Sequence, residues 1–418
     1  MDKDFLWITA VESAFLPQAR HVNERPLDEY ELAQHYQYWE QDIDLAKSVG
    51  AHAMRYSIPW YKVNPQPGKY DWSWIDRVLD RLVKKNGMKL MADINHYNSP
   101  LWLDNEYLNA SFPDRFAEYA MEFARRYKQL VHSYVPYNEP VVNASFSGEN
   151  GEWAPYLHGN DGFLKILTSL AKAVVRARQE IRSVDSGAVF VEVEGVVSCE
   201  ALERELVETA RIKTDRRTSL YDLITGRVDE RHPLFSYLTS NGMSDHDLNW
   251  FHDNKVEIGI VGLNYYPQIS HIELDRNGEN WVEIPIADSL KHLENIFREY
   301  YKKYNAPMIL SETGYFGGDE GKIQWLETSA ELIRRLRKEG LPIVGYDWWF
   351  LLDSIGWDYK WGEGPAADYL GFFHHRGQKQ PRKDDGLFAL QPEPNGNLKR
   401  VRNRVADVFK RLAEQDMS

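Results

Sequence analysis

The run Leu130-Val131-His132-Ser133-Tyr134-Val135-Pro136-Tyr137-Asn138-Glu139-Pro140-Val141 places an apolar strand directly before an amide, an acid and a proline. Glu139 is therefore held at the point where regular structure stops, which is where catalytic residues tend to lie. A carboxylate buried there without a partner would be costly, so its surroundings need an explanation. A solvated glutamate in a turn is the alternative interpretation, and the rest of the chain disfavours it.

Short apolar runs alternate with segments of helical period along almost the whole chain. The predicted strands are 5–10, 52–58, 88–94, 131–137, 188–193, 256–263, 308–310 and 342–349. The predicted helices are 31–50, 75–83, 113–129, 160–182, 288–303, 322–339 and 398–413. Eight strands with interposed helices, and no linker between them, predict an α/β fold: a single (β/α)8 TIM barrel with long βα loops over residues 1–418.

Residues 196–255 are the least periodic part of the chain, and we expect them to form an irregular insertion that covers one mouth of the barrel. The insertion carries a cluster of charges that is typical of a solvated helix and loop. The cluster consists of Glu203, Glu205, Glu208, Arg211, Lys213, Asp215, Arg216 and Arg217.

The composition excludes several classes of protein. The 418 residues include 63 acidic and 50 basic side chains, for a formal charge of −13, so we expect no nucleic-acid partner. The only cysteine, Cys199, excludes an intrachain disulfide, and no apolar run is long enough to span a membrane. These features predict a soluble, cytoplasmic protein. The 14 Trp and 24 Tyr are many for core packing alone and are compatible with a carbohydrate or aromatic substrate.

The carboxyl ends of the strands of such a barrel meet on one face and carry its functional groups. Polar and aromatic residues at the predicted strand ends are Arg55, His96, Asn138, Glu139, Asn264, Tyr266, Glu312, Trp349 and Asp353. Glu139 and Glu312 stand 173 positions apart, on opposite sides of the predicted ring. No His, Asp or Glu set has the spacing of a zinc-binding helix and no glycine-rich phosphate loop follows a strand, so we expect neither a metal nor a cofactor.

Two carboxylic acids around one pocket favour glycoside hydrolysis, in which one protonates the leaving oxygen while the other attacks the anomeric carbon or activates water. Glu312 fits the deprotonated role because the Arg55 cation and the Tyr266 hydroxyl would stabilise its charged form. Glu139, beside the neutral amide of Asn138, is better suited to remain protonated as the acid.

Tyr137-Asn138-Glu139-Pro140 and Leu310-Ser311-Glu312-Thr313-Gly314 resemble the acid/base and nucleophile signatures of glycoside hydrolase family 1. That family comprises β-glucosidase-type retaining enzymes on a (β/α)8 barrel. Further segments resemble its motifs in the same order along the chain. They are Phe5-Leu6-Trp7, Ser13-Ala14-Phe15, Arg55-Tyr56-Ser57-Ile58-Pro59-Trp60, Asn95-His96-Tyr97, Ala154-Pro155, Gly262-Leu263-Asn264-Tyr265-Tyr266 and Trp349-Phe350-Leu351-Leu352-Asp353.

The resemblance implies a role for each matching residue. Glu139 would be the general acid/base and Glu312 the nucleophile, with a β-glycoside as the partner molecule. The implied substrate-binding and orienting residues are Arg55, His96, Asn138, Asn264, Tyr266, Trp349, Trp357 and Glu363. Among them, Asn138 would contact the sugar 2-hydroxyl, His96 the 3-hydroxyl, and Trp349 would form the floor on which the sugar stacks.

Two departures from the family pattern concern the residues that read the sugar. The family's glutamine after Ser-Ala-aromatic is Leu16 here, with Gln18 two positions on. The family's Asn-Phe-Glu-Trp is Ser354-Ile355-Gly356-Trp357, so its glutamate for the 4- and 6-hydroxyls is missing. A site without these polar groups cannot hold glucose in the family's usual way.

Other residues could refill this side of the site. An alternative alignment equates Trp361-Gly362-Glu363-Gly364 with the family's Trp-Ala-Glu-Gly and places Lys360 at the position of the missing glutamate. Glu12 and Gln18 are candidates for the opposite side. Each of these residues has an alternative interpretation as a loop side chain in water. The sequence alone decides neither the sugar nor the aglycone.

Two alternatives to a family 1 hydrolase keep the same barrel. One is a transglycosylase or another retaining family of the same clan, since Asn-Glu and Glu at these strand ends also occur there. The Arg55 segment and Asn264-Tyr265-Tyr266 favour family 1 over it. The other is a non-catalytic sugar-binding barrel, which the presence of both glutamates disfavours. An oligomer is compatible with every one of these interpretations.

Overall fold

The computed structural model describes residues 5–18, 24–277, 280–286, 289–370 and 385–417. Eight parallel strands form one sheet. They are β1 (Leu6–Val11), β2 (Ala53–Ser57), β3 (Lys89–Asp93), β4 (Val131–Val135), β5 (Val191–Gly195), β6 (Ile260–Asn264), β7 (Met308–Thr313) and β8 (Ile343–Trp348). Each falls on a predicted strand, so the predicted (β/α)8 barrel is confirmed.

The order of the strands is that of a ring opened at one place: β4-β3-β2-β1-β8-β7-β6-β5. The first strand lies between β2 and β8, with Ile8 opposite both Ala53 and Asp347. The chain continues past β4 to Asn138, which forms a parallel bridge with Val193 of β5. This bridge brings the two ends of the strand order together, as a barrel requires.

Helices follow the strands throughout. The α-helices are Glu29–Leu32, His35–Ser48, Trp60–Val63, Ser73–Leu79, Phe112–Tyr127, Pro140–Ala144, Gly159–Val184, Val207–Arg216, Ser219–Ile224, Phe235–Ser240, Asp245–Asp253, Ser289–Tyr304, Asp319–Lys338 and Arg404–Met417. Wider π-helical turns occur at Asp80–Lys85 and Ser145–Glu149, and 3-10 turns at Glu106–Leu108, Trp357–Trp361 and Ala366–Tyr369. Further short strands are Phe15–Leu16, Leu27–Asp28, Ser198–Ala201, His271–Asn277, Asn280–Pro285, Phe388–Pro392 and Leu398–Arg402.

The chain divides into two compact units. Unit 1 consists of Met1–Trp102, Gln129–Tyr134 and Ile309–Ser418, and unit 2 of Leu103–Lys128 and Val135–Met308. The predicted single-domain organisation stays a prediction.

In unit 1, strands β1, β2, β7 and β8 are buried along almost their whole length, as expected where strand side chains fill the inside of a barrel and helices cover its outside. The helix Asp319–Lys338 begins with acidic residues and ends with basic ones, which complements its dipole. It packs against the C-terminal helix Arg404–Met417. The same helix also packs against β8, and Nε1 of its Trp325 donates a hydrogen bond at 2.9 Å to the hydroxyl of Thr313, the residue after Glu312.

In unit 2, the helices Phe112–Tyr127 and Gly159–Val184 pack along each other. The first has Pro113 and Asp114 in its opening turn and Arg125 and Arg126 in its last, the placement that helix ends favour. Its aromatic residues Phe116 and Phe123 are fully buried. This packing supports the segment that carries Glu139, because the ring of Phe116 lies edge-on to Tyr137 at 5.8 Å.

Two sequence-based expectations need correction. The predicted helix 398–413 begins later, at Arg404, because Leu398–Arg402 pairs with Phe388–Pro392 as an antiparallel hairpin. In the charge cluster of residues 196–255, Arg216 and Arg217 are buried rather than solvated. The guanidinium of Arg216 is paired with Glu149 at 2.7 Å, and that of Arg217 with Glu299 at 2.6 Å.

The region 196–255 is more regular than expected, since it holds one short strand and four helices. Its strand Ser198–Ala201 joins a three-stranded sheet with His271–Asn277 and Asn280–Pro285. That it covers a mouth of the barrel stays a prediction. Among the described helices, none combines the length and the apolar character needed to cross a membrane.

Candidate active site

Glu312 lies near the end of β7 and is 3% exposed. Its Oε1 is 2.7 Å from Nη1 of Arg55, which also donates to the carbonyl of Ser311 at 3.2 Å. The ordinary cost of burying a carboxylate is offset here by a charge-assisted hydrogen bond from a cation that cannot lose its proton. The predicted contact between Arg55 and Glu312 is therefore present.

Arg55 is fully buried and holds a second carboxylate on its other side. Its Nε and Nη2 lie 3.0 and 2.7 Å from Oδ2 of Asp93, the last residue of β3. Burial alone would lower the pKa of Arg55, but the charges of Asp93, Glu312 and Asp347 raise it above its ordinary value. The guanidinium is thus a permanent charge between two acids, with its carbon 4.9 Å from the ring centre of Trp349.

His96 follows the same strand, and each of its ring nitrogens faces a carboxylate. Nδ1 is 3.0 Å from Asp93 and Nε2 is 3.3 Å from Glu12. Burial would lower the pKa of His96, but the hydrogen bonds to Asp93 and Glu12 raise it to about 9. The ring is therefore protonated at neutral pH and donates from both nitrogens. It stacks on Trp349 at 5.2 Å between ring centres, with 13° between the planes.

Trp349 directly follows β8, and its peptide bond to Phe350 is cis. Its backbone N–H donates to the carbonyl of Thr313 at 2.9 Å, which ties the ends of β7 and β8 together. The Asp353 carboxylate accepts the backbone N–H groups of Asp385, Gly386 and Leu390 at 3.0–3.2 Å. The predicted strand-end residue Asp353 thus holds the segment after β8 in place.

Glu139 emerges from the end of β4 in unit 2 with a left-handed backbone, φ 45°. Its N–H donates to the carbonyl of Val193 at 3.1 Å, and Pro140 begins the next helix. Its Oε1 accepts a hydrogen bond from Nδ2 of Asn264 at 2.9 Å. Asn264 also lies 3.4 Å from the side-chain oxygen of Asn138. A non-glycine residue in this backbone conformation costs energy, so its presence is typical of a functional position.

Two residues of β5 that the sequence reading missed shape the surroundings of Glu139. A Cβ atom on Gly195 would lie 3.0 Å from Oε1 of Glu139, so the glycine leaves room for this carboxyl group. Glu194 is fully buried and its Oε1 accepts the N–H of Val141 at 2.9 Å. Burial and, less strongly, the charge of Glu139 raise the pKa of Glu194 well above its ordinary value. The sequence did contain a signal for a functional role of β5, because Glu192 and Glu194 alternate with apolar residues in that strand.

The remaining predicted residues occupy different surroundings. Tyr266 is buried and its N–H donates to the hydroxyl of Ser270 at 2.9 Å. Trp357 is half-buried, with its ring edge-on to that of Tyr97 at 5.8 Å. Glu363 is exposed, and within the described residues its carboxyl group forms no hydrogen bond or ion pair. Lys360 is buried, and its amine contacts the carbonyl of Gln18 and the carboxylate of Glu24.

Each unit therefore gathers one part of the predicted set. Unit 1 brings together Glu312, Arg55, His96 and Trp349, and it adds Asp93 and Glu12. Unit 2 brings together Glu139, Asn138 and Asn264. In chemical terms, unit 1 presents a carboxylate kept ionised by a buried cation, which suits a nucleophile. Unit 2 presents a carboxyl group that is contacted by the neutral amide of Asn264, which suits a proton donor. Within the described residues, no group of His, Cys, Asp and Glu is arranged to hold a metal ion.

The chain is similar to several known proteins. The model of glycosyl hydrolase family 1 matches residues 15–210. A 1,4-beta-D-glucan glucohydrolase of Thermotoga neapolitana is 27% identical over 403 residues, covering 87% of each chain. A galactolipid galactosyltransferase of Arabidopsis thaliana is 25% identical over 357 residues, covering 78% of this chain and 52% of that protein. The structure of a beta-glucosidase from Thermotoga maritima in complex with glucoimidazole superposes with a TM-score of 0.82 at 19% identity, covering 99% of both chains.

Proposed function

We propose that the chain is a retaining β-glycosidase of glycosyl hydrolase family 1 and that Glu312 and Glu139 perform its two chemical steps. The observation that carries this assignment is the 2.7 Å contact between Arg55 and Glu312. A buried guanidinium stabilises the ionised form of the carboxyl group, and only the ionised form can attack the sugar.

In the first step, a carboxylate oxygen of Glu312 forms a bond to the anomeric carbon while the bond from that carbon to the aglycone oxygen breaks. Glu139 gives its proton to the departing oxygen, so the aglycone leaves as a neutral alcohol. The product is a glycosyl ester of Glu312. The left-handed backbone of Glu139 and its contact with Asn264 hold the acid in position for this transfer.

In the second step, the carboxylate of Glu139 removes a proton from a water molecule. The water oxygen attacks the anomeric carbon and releases Glu312, which returns to its ion pair with Arg55. Two displacements at one carbon leave the sugar with its original β configuration. We propose that Trp349 forms the floor of the sugar site and that His96, stacked on it, lines the same site. The acidic composition and the single, buried Cys199 support a cytoplasmic location as part of this proposal.

Replacement of the nucleophile tests the assignment. Glu312→Gly should abolish hydrolysis of 4-nitrophenyl β-glucoside, and added azide should restore release of nitrophenol with formation of the α-glucosyl azide. Glu331→Gln, on an exposed face of the helix Asp319–Lys338, serves as the control that keeps full activity. NMR of the first sugar anomer released by the unaltered enzyme should show the β form. Full activity of Glu312→Gly, or release of the α anomer, would contradict the assignment.

A second candidate reaction is transfer of the glycosyl group to a sugar hydroxyl in place of water. It is favoured by the similarity to a protein named as a galactosyltransferase. The first step would be the same, so the two reactions differ only in the acceptor. Product analysis in the presence of a methyl glycoside separates them: hydrolysis gives the free sugar, and transfer gives a disaccharide.

A further inference from the structure

We propose that Glu12 is a specificity-determining residue of the sugar site, which accepts hydrogen bonds from hydroxyl or amine groups of the glycone and rejects glycones that carry a negative charge beside it. The inference rests on the proposed function, because it takes His96 and Trp349 as part of the sugar site. It adds a residue and a class of substrate that the proposed function leaves open.

Glu12 directly follows β1 and is 5% exposed. Its Oε2 lies 3.3 Å from Nε2 of His96, on the ring that stacks against Trp349. Within the described residues, its second carboxylate oxygen accepts no hydrogen bond, although a carboxylate can accept several. The His96 contact therefore orients the group and leaves one oxygen available to a ligand.

The contacts of His96 determine which kind of ligand group Glu12 can bind. Because its two nitrogens already face Asp93 and Glu12, the protonated ring serves as a bridge between two carboxylates. A sugar hydroxyl that reaches this side meets the open acceptor on Glu12. An ionised carboxylate accepts hydrogen bonds but donates none, so it selects for groups that carry a hydrogen.

A second buried acid, Glu29, shows how the charge of Glu12 acts on neighbouring acids. Glu29 is 4% exposed, and its Oε1 accepts the N–H of Ile355 at 2.6 Å. Its Oε2 is buried and has no hydrogen-bond partner among the described residues. Burial and then the charge of Glu12 raise the pKa of Glu29 well above its ordinary value. A negative charge on a ligand would be disfavoured beside Glu12 in the same way, whereas a protonated amine would be attracted to it.

The other candidates for this role lie in different surroundings. Leu16 is buried and pairs with Leu27 in a short antiparallel strand pair, and Gln18 is exposed. Lys360 would be the natural partner for a phosphate, but its amine is directed at the carbonyl of Gln18 and at Glu24, 3.5 Å away. Glu12 is thus the polar group that directly contacts the sugar-site histidine from β1.

The test compares three substrates of similar shape and different charge: the 4-nitrophenyl β-glycosides of glucose, glucuronic acid and 6-amino-6-deoxyglucose. The unaltered enzyme should hydrolyse the glucoside and the amino sugar with far higher kcat/KM than the glucuronide. Glu12→Gln should lower kcat/KM for the glucoside by about 10- to 100-fold, the worth of one hydrogen bond to a charged group. The same variant should raise the ratio of glucuronide to glucoside activity at least about tenfold, because one repelling charge is removed.

Two further variants make the result decisive. Glu331→Gln should change none of the three activities. Glu12→Asp, which keeps the charge, should lose activity on the glucoside yet still reject the glucuronide, and it replaces Glu12→Gln if that protein fails to fold. The inference is overturned if Glu12→Gln keeps the unaltered ratio, or if the unaltered enzyme prefers the glucuronide. If the unaltered protein hydrolyses no β-glycoside at all, it is the proposed function that fails.

Discussion

Arg55 Nη1 lies 2.7 Å from Glu312 Oε1, while Nη2 of the same guanidinium lies 2.7 Å from Asp93 Oδ2. One planar cation is thereby shared between two carboxylates, and all three groups are buried. A guanidinium can satisfy both acids at once because its N–H groups point in fixed directions within one plane. The ionised state and the orientation of Glu312 therefore both depend on Arg55.

Replacing Arg55 with lysine should lower kcat by about 10²- to 10³-fold. A lysine keeps the charge but offers a single ammonium group, so it cannot hold Asp93 and Glu312 together, and each lost charged hydrogen bond is worth about 1.5–3 kcal/mol. Steady-state kinetics on 4-nitrophenyl β-glucoside measure the loss. Arg81→Lys is the matched control, since Arg81 pairs with Asp44 on the surface. Equal kcat values for Arg55→Lys and the unaltered enzyme would show that catalysis does not need one guanidinium to hold both Asp93 and Glu312.

Removing the proton donor should affect substrates according to their leaving group. Glu139→Gln should lose activity by several orders of magnitude on alkyl β-glucosides, whose alkoxide needs a proton, and far less on 2,4-dinitrophenyl β-glucoside, whose phenolate leaves unaided. Asn264→Ala, which removes the 2.9 Å contact to Glu139, should show the same dependence on the leaving group. The logarithm of its activity loss should be roughly a tenth of that of Glu139→Gln. Uniform losses across leaving groups would place Glu139 outside the proton transfer.

Adding one methyl group beside the acid should displace it. A Cβ on Gly195 would lie 3.0 Å from both the Glu139 carboxyl oxygen and a methyl group of Val142, closer than most such contacts. Gly195→Ala should therefore lower kcat/KM about tenfold for poor leaving groups, since small misplacements of a catalytic group are costly. Gly187→Ala, whose added atom would come no nearer than 3.7 Å to Asp185, should leave kcat/KM unchanged. Unchanged kinetics for Gly195→Ala would mean that the Glu139 side chain adapts freely.

The stability of the protein should fall between about pH 4 and pH 8, in part because of Asp385. Burial and the nearby charge of Asp353 raise the pKa of Asp385 to about 8, whereas an unfolded aspartate titrates near 3.9. Between these values the folded chain binds a proton that the unfolded chain has lost, so the free energy of unfolding decreases as the pH rises, by at most about 1.4 kcal/mol per pH unit. Above pH 8 this contribution stays constant.

Asp385→Asn removes that titration. Its melting temperature should therefore fall less between pH 5 and pH 8 than that of the unaltered protein, as scanning calorimetry at several pH values would show. Asp104→Asn, at an exposed position, should follow the unaltered curve. Parallel curves for Asp385→Asn and the unaltered protein would indicate that Asp385 is ionised in the folded chain already at low pH.

The eight strands could be predicted from the sequence because buried parallel strands read as short apolar runs. The C-terminal hairpin could not be found by the same means, since Leu398–Arg402 holds three basic residues in a helix-like charge pattern. Its signal lay in the turn, where Asn395 precedes Gly396 with φ 84°. A turn of that type connects antiparallel strands, and its preference is stronger evidence than the charge pattern.

Strand-end positions predicted Glu139, Glu312, Arg55 and His96 as site residues, because strand ends are where a barrel of this type carries its functional groups. Asp93 ends β3 and satisfies the same rule, so it is predictable from the sequence in the same way. The partner of His96 is a different case. Nothing in the sequence indicates that the side chain of Glu12 turns towards a histidine 84 positions away, since that contact depends on the twist and register of β1 and β3.

The position of β1 between β2 and β8 has a consequence for folding while the chain is being synthesised. Synthesis starts at the amino terminus, so β1 has β2 as a neighbour early but waits more than 300 residues for β8. Until the ribosome has passed Trp348, the growing sheet keeps an open edge that other chains can join. Arg55 is likewise synthesised 257 residues before its partner Glu312. Messages truncated before β8 therefore yield fragments with an exposed edge, which are targets for chaperones and proteases.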